Sequence, residues 1–147
     1  MADTVPQISV LIGTYNQAAK LNLVLDGYTK QTLSRDRFEV VVVDSSSNDN
    51  TAQICETFAH DMALRYFKVT NQGKAKARNF GAQQAQAPIL FLTDADMIPA
   101  PDLLEVHVGA HRSDGQAMFE GLTFNLSREQ WPLENVETVP YIVRALQ

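Results

Sequence analysis

The chain has 147 residues, of which 45% are hydrophobic, and a formal net charge of −5. This length allows one domain with a proper core, and the negative charge argues against a surface that wraps nucleic acid. Since the chain has no apolar stretch long enough for a bilayer, no signal peptide at its N-terminus and only one cysteine, Cys55, we expect no transmembrane segment and a reducing, cytoplasmic location.

The first half of the chain predicts two strand–helix pairs. Residues 8–12 form a short apolar strand, and residues 17–30 carry apolar side chains at helical spacing. Residues 38–43 are β-branched and nearly continuously apolar, as in a strand buried on both faces. After a run of turn-forming and helix-capping residue types, a second helix fits residues 51–61.

The second half continues the same alternation. Residues 64–69 predict a third strand, residues 74–85 an Ala-rich helix, and residues 89–92 a further strand of buried character. A helix capped by Asp102 runs to about residue 112. A last strand is expected over residues 117–126.

This order of elements predicts an α/β fold with a mostly parallel sheet and helices on both faces. In such sheets, ligands bind in the crevice beyond the carboxyl ends of the strands. Gly13-Thr14, Asp44-Ser45 and Asp94-Ala95-Asp96 each follow a predicted strand. We therefore expect these three segments to line one edge of the sheet.

Asp94 and Asp96 are the strongest metal-site candidates in the chain. They stand two residues apart at the end of an apolar strand, and such positions on an extended backbone point to the same side. Paired carboxylates suit a hard divalent cation, Mg²⁺ or Mn²⁺, which commonly also holds a phosphate group. The alternative is that both residues only open a turn.

Residues 73–79 are the one basic cluster in this acidic chain. Lys74 and Arg78 are four residues apart at the start of a predicted helix, so they share a face. Free N–H groups at a helix start already attract anions. Cations are unfavourable there unless an anion offsets them, which favours phosphate binding over the alternative of a solvated helix face.

A zinc site is a weaker alternative. His107 and His111 have the i, i+4 spacing of two zinc ligands, but the glutamate of the metalloprotease motif is missing between them. We therefore do not expect zinc chemistry.

Four segments together resemble family 2 glycosyltransferases with the GT-A fold. Residues 8–16 resemble the opening strand and turn of that family, and residues 38–51, preceded by Gln31-Thr32, resemble its second signature. Residues 71–81 resemble the third. Asp94-Ala95-Asp96 resembles the DxD motif of the family, with Pro101-Asp102 at the usual distance. The likeness runs from about residue 6 to 112. Four segments in the order and spacing of the family are more specific than any one of them alone.

The resemblance implies a Rossmann-like GT-A fold. It also implies transfer of a sugar from a nucleotide-diphosphate donor, usually UDP-linked, with inversion at the anomeric carbon. The acceptor would be a saccharide or a lipid-linked molecule. Thr14, Tyr15 and Asp44 would line the nucleoside pocket, and Arg78 would lie near the base or the diphosphate. By the same resemblance, Asp94 would face the ribose and Asp96 would hold Mg²⁺ or Mn²⁺.

The length departs from the family pattern. Only 51 residues follow Asp96, and we assign no catalytic base among them. We expect one domain over residues 1–147, with a nucleotide-sugar-binding core at 6–112 and the start of an acceptor part, or a tail, at 113–147. The chain is thus interpreted as truncated after the donor-binding half of a glycosyltransferase. The alternative is a non-catalytic nucleotide-sugar-binding module, and homo-oligomer formation is left open.

Overall fold

The structure is a computed structural model that describes residues 5–71, 73–113, 117–121 and 123. Strands and helices alternate along the chain, with one 3-10 turn at Arg35–Arg37 between the first helix and the second strand. The elements are β1 (Ile8–Thr14), α1 (Ala18–Thr29), β2 (Phe38–Asp44), α2 (Thr51–Phe58), β3 (Leu64–Lys68), α3 (Lys74–Gln84), β4 (Ile89–Asp94) and α4 (Leu103–Ser113). No helix in these ranges is long and apolar enough to cross a membrane.

The four strands of the described residues form one sheet in the order β3-β2-β1-β4, and every pairing is parallel. β1 and β2 are the central strands, and they are buried along nearly their whole length because helices cover both of their faces. This burial explains why both sequences are nearly continuous apolar runs rather than alternating ones. The α/β expectation is confirmed.

The two faces of the sheet carry separate apolar clusters. The larger one joins α1, α2 and α4 to one face and includes Leu21, Cys55 and Leu104. The smaller one joins α3 to the other face through Ala77 and the central strands. Helices α1 and α3 therefore lie on opposite sides of the sheet, which decides where their cations can reach.

β4 differs from its predicted buried character. Among the described residues it is an edge strand, and its inward side chains, Ile89 and Phe91, pack on the larger cluster. Leu90 and Leu92 face the side of α3 and are 39% and 53% exposed. Strand order is a non-local property, so the apolar run alone did not reveal that the described part of the chain leaves this face partly exposed.

The predicted helices and the first three predicted strands match the structure to within three residues at each end. The expected last strand at 117–126 is wrong over its described part, since residues 117–121 and 123 have no strand structure. Its other residues lie outside the described ranges.

A buried polar network ties the strands together at the amino edge of the sheet. The Glu39 side chain is 5% exposed, and its Oε2 atom lies 2.8 Å from Nη2 of Arg65. Its Oε1 atom accepts hydrogen bonds from Ser9 Oγ at 2.6 Å and from the Gln86 amide at 2.7 Å. Arg65 also donates to the Gln84 carbonyl. One carboxylate therefore joins three strands and the end of α3.

Candidate functional site

The carboxyl ends of the strands form the edge that the sequence predicted. Thr14 pairs with Asp44 across β1 and β2, Gly13 pairs with Asp94 across β1 and β4, and Asp44 pairs with Lys68 across β2 and β3. β2, the next strand along the chain, pairs with one side of β1, and β4 pairs with the other side. The strand order thus reverses between β1 and β4, where open α/β sheets bind their ligands.

Thr14 is the last residue of β1 and Tyr15 follows it, and the two differ in how far they are exposed to solvent. The Thr14 side chain is 6% exposed, and its Oγ1 atom is buried without a hydrogen-bond partner in the described part of the chain. A buried hydroxyl without a hydrogen-bond partner lowers stability by about 1–3 kcal/mol, so a ligand that forms a hydrogen bond with Oγ1 would recover part of this free energy. The Tyr15 ring is 51% exposed and can lie against a planar group.

The loop after β1 is bonded to the loop after β2. Asn16 has a positive φ of 50°, a conformation that Asn tolerates better than most residues. Its amide donates to Ser47 Oγ at 2.8 Å, and its Oδ1 atom accepts from the Asn48 amide at 2.9 Å. The two loops therefore hold each other in place at the edge of the sheet.

Asp49 completes this tie, and sequence reasoning missed its role. Its Oδ2 atom accepts from the Ala18 amide at 3.0 Å, at the start of α1, and its Oδ1 atom accepts from the Thr51 hydroxyl at 2.5 Å, at the start of α2. Burial acts to raise the pKa of Asp49, but these hydrogen bonds outweigh it and the pKa is lowered. The Thr51 amide also donates to Oδ1, at 3.2 Å, so one carboxylate accepts from a free N–H group at each of two helix starts.

Asp44 was predicted to line the nucleoside pocket, and the structure shows it 1% exposed. Its Oδ1 atom accepts from the amide and the hydroxyl of Ser47, at 2.8 and 2.5 Å. Its Oδ2 atom accepts from the Tyr66 hydroxyl at 2.6 Å. Burial, and after it this hydrogen bond, raises the pKa of Tyr66. In this conformation Asp44 holds the loop after β2 from behind, and its contact with a nucleoside stays a prediction.

Helix α3 packs unusually close to the sheet. A Cβ atom on Gly81 would lie 2.9 Å from Val43 Cγ2 and closer still to Leu11 Cδ1. Both of those side chains are buried on the central strands. The helix can approach this closely only because position 81 has no side chain.

The basic cluster of α3 meets Asp94 at the end of β4. Arg78 Nη2 lies 2.8 Å from Oδ1 of Asp94, and Lys74 Nζ lies 3.4 Å from Oδ2. Gly73 precedes the helix with a φ of 92°, which turns the chain into this position. The predicted phosphate-binding cations and the predicted metal-binding carboxylate are therefore neighbours.

Asp96 does not share the extended backbone that its pairing with Asp94 assumed. β4 ends at Asp94, and the Met97 amide donates to the Asp94 carbonyl at 3.2 Å, so Asp96 lies in a turn. Its Oδ2 atom is 3.9 Å from Nζ of Lys20 on α1, whereas Asp94 is paired with α3 on the opposite face. The two carboxylates are thus only two residues apart in sequence but are oriented toward different helices.

Asp96 fits a hard divalent cation that takes the rest of its shell from phosphate and water, whereas Asp94 is oriented toward the other face and is paired with Arg78 and Lys74. Mg²⁺ commonly uses one or two protein carboxylates together with substrate phosphates. The Asp96 side chain is 45% exposed and has only a long ion pair, so its oxygens are accessible. No group of three or more metal-binding side chains occurs in the described ranges.

The histidines of α4 have packing roles. The His107 ring lies 4.9 Å from the Phe91 ring, and the His111 ring lies 4.8 Å from the Phe119 ring, both edge to face. Burial, with a further contribution from His111, lowers the pKa of His107. These aromatic contacts give the pair a structural explanation without zinc.

The cations and carboxylates of this parallel α/β sheet are gathered at its carboxyl edge, where sheets of this kind bind their ligands. The sequence profile of Glycosyl transferase family 2 matches residues 9–142, nearly the whole chain. The chain therefore belongs to this family of glycosyltransferases.

Three known proteins illustrate the relationship. Glycosyltransferase AglE of Haloferax volcanii is 34% identical over 123 residues, which are 82% of this chain and 40% of that protein. The structure of S. aureus TarS 1-349 in complex with UDP-GlcNAc is 30% identical with a TM-score of 0.71, over 74% of this chain and 32% of that one. The mannosyltransferase PcManGT from Pyrobaculum calidifontis, in complex with GDP-Man and Mn²⁺, is 38% identical with a TM-score of 0.63, over 67% of this chain and 30% of that one. The chain thus spans less than half the length of each relative.

Proposed function

We propose that the carboxyl edge of the sheet binds the nucleotide diphosphate of a sugar donor, with Mg²⁺ or Mn²⁺, for transfer of the sugar to an acceptor. The observation that carries the proposal is the contact of Lys74 and Arg78 with Asp94 at the point where the strand order reverses. Two cations and a free helix start form an anion site, and the neighbouring carboxylates form a cation site. A diphosphate with a bound metal ion matches both sites, because its phosphates are negative and its metal is positive.

Each group of the site has a chemical task in this proposal. Thr14 and Tyr15 would contact the nucleoside, since one offers an unpaired hydroxyl and the other an exposed ring. Lys74 and Arg78 would bind the phosphates. Asp94 and Asp96 would hold the metal, which supplies charge neutralisation for the leaving diphosphate.

The related proteins support the donor class. The structures of two related proteins are complexes, one with UDP-GlcNAc and the other with GDP-Man and Mn²⁺. We propose a UDP-sugar as donor, inversion at the anomeric carbon, and residues 6–112 as the donor-binding core of a larger catalytic unit. We assign no catalytic base, so the chain by itself is expected to bind the donor and to transfer the sugar poorly.

The test is thermal unfolding and calorimetric titration with UDP and GDP, each with and without Mn²⁺. A nucleotide at a hundred times its Kd stabilises the fold by about 2.7 kcal/mol, which for a domain of this size raises Tm by roughly 5–10 °C. If neither nucleotide raises Tm in the presence of Mn²⁺, the proposed donor site is wrong.

A single substitution separates the metal from the fold. Asp96→Asn keeps the size of the side chain but makes it a poorer ligand for a hard cation. We expect the Mn²⁺-dependent part of UDP binding to disappear while Tm without ligand stays the same. Asp61→Asn is the matched control, because Asp61 is exposed and lies before β3, at the opposite edge of the sheet. Unchanged Mn²⁺ dependence in the Asp96 variant would make that residue structural.

A further inference from the structure

Both carboxylate oxygens of Asp94 are paired with cations of α3. Oδ1 lies 2.8 Å from Arg78 and Oδ2 lies 3.4 Å from Lys74, and the Asp94 side chain is 33% exposed. Asp96, by contrast, has its cation Lys20 at 3.9 Å. A metal that approaches the edge of the sheet therefore meets one accessible carboxylate and one that two cations occupy.

The charges around Asp94 oppose a metal that arrives alone. Lys74 and Arg78 carry two positive charges against one negative charge, so the group as a whole repels a divalent cation. Lys74 is the first residue of α3, where the helix dipole adds positive potential, and Arg78 lies one turn further along the helix. A metal therefore binds Asp94 more readily when the two cations move to another anion.

We infer that Lys74 and Arg78 form an exchangeable clamp on Asp94, which weakens metal binding in the free protein and which the donor diphosphate opens. This inference rests on the proposed function. The phosphates draw the two cations off the carboxylate, and the freed oxygens then become available to the metal. The Lys74 side chain is 78% exposed, so it can change partners without disturbing the core.

The clamp predicts an order of affinities. Mn²⁺ alone binds weakly and binds much more tightly once UDP is present. By linkage, UDP also binds more tightly with Mn²⁺ by the same factor. A part of this coupling comes from metal–phosphate contact in any such site, and the clamp adds a second part that depends on Lys74 and Arg78.

The experiment measures Mn²⁺ affinity without nucleotide, by the electron paramagnetic resonance signal of free Mn²⁺. Lys74→Ala and Arg78→Ala should each tighten Mn²⁺ binding about two- to fivefold, the range for loss of one partly exposed ion pair. The ratio of Mn²⁺ affinities with and without UDP should shrink in both variants. The matched control is Lys76→Ala, which removes the same charge from the same helix at a residue without an ion pair to Asp94.

The outcomes separate the clamp from the donor site. Tighter Mn²⁺ binding in the Lys74 and Arg78 variants, with little change in the Lys76 variant, supports the clamp. Unchanged or weaker Mn²⁺ binding in both, while the unsubstituted chain still binds UDP with Mn²⁺, overturns the clamp alone. Equal tightening in the Lys76 variant also overturns it, because the effect would then come from helix charge in general. If the unsubstituted chain binds neither UDP nor Mn²⁺, the proposed function fails as well.

Discussion

Gly81→Ala is expected to destabilise the chain by forcing α3 away from the sheet. The new methyl group would lie 2.9 Å from Val43 Cγ2 and nearer still to Leu11 Cδ1, and Leu11 is 1% exposed and Val43 fully buried. Side chains packed this tightly cannot give way freely. Overpacking of a filled core costs about 1–3 kcal/mol.

The same substitution has a favourable part, which must be separated from the packing cost. Alanine stabilises a helix interior by about 0.8–1.0 kcal/mol relative to glycine. Gly109 lies inside α4 with open space where its Cβ would be. Gly109→Ala therefore gains the helix term without the packing cost. The difference between the two variants isolates the packing cost, about 1–3 kcal/mol.

Thermal unfolding followed by circular dichroism measures both variants against the unsubstituted chain. At roughly 2–4 °C per kcal/mol, their Tm values should differ by about 2–12 °C, with the Gly109 variant higher. Because Arg78 lies one turn before Gly81, the shifted helix should also weaken UDP binding in the Gly81 variant only. If Gly81→Ala is as stable as Gly109→Ala, the helix does not sit against the sheet as described.

Two further predictions concern stability. Glu39→Ala should lower the free energy of unfolding, measured with urea, by about 3 kcal/mol, because it leaves the partly buried Arg65 without its anion. The control is Asp26→Ala, which breaks an i, i+4 ion pair on the surface of α1 and should cost less than about 0.5 kcal/mol. Equal costs in the two variants would contradict the buried network. His107 is buried with a lowered pKa, so the unfolded chain takes up its proton first and stability should fall as the pH drops below about 6.5. His107→Gln should flatten this fall in urea midpoints between pH 7.5 and 5.5, and an identical pH dependence would show that other groups cause it.

The sequence predicted the central part of the fold well. β1 and β2 are covered on both faces, and that environment leaves a direct imprint, a nearly unbroken apolar run. β4 carries a similar run but is an edge strand in the described part of the chain, because coverage depends on which strands neighbour it in space. The last predicted strand fails over residues 117–121 for a related reason, since an apolar segment becomes a strand only when a neighbour pairs with it.

The candidate site shows the same limit. The sequence indicated which segments meet at the carboxyl edge, because parallel strands bring their ends together. It did not reveal that Asp94 and Asp96 are oriented toward opposite faces, since that depends on the turn that begins after Asp94. Nor did it reveal the bonds of Asp49 to two helix starts, although its place just before α2 is typical of a capping residue.

The bonds between the loops after β1 and β2 bear on how the proposed nucleoside pocket can be re-engineered. The Asn16 side chain bonds to the second loop, and the Ser47 and Asp49 side chains bond to the first loop as well as to their own. A graft that removes the Asn16 side chain would leave the Asn48 amide without its partner, and a graft that removes the Ser47 and Asp49 side chains would leave the Asn16 and Ala18 amides without theirs. Asn16 and Ser47 are 31 residues apart along the chain. Because their loops bond to each other, an engineered change of one loop requires a matching change of the other.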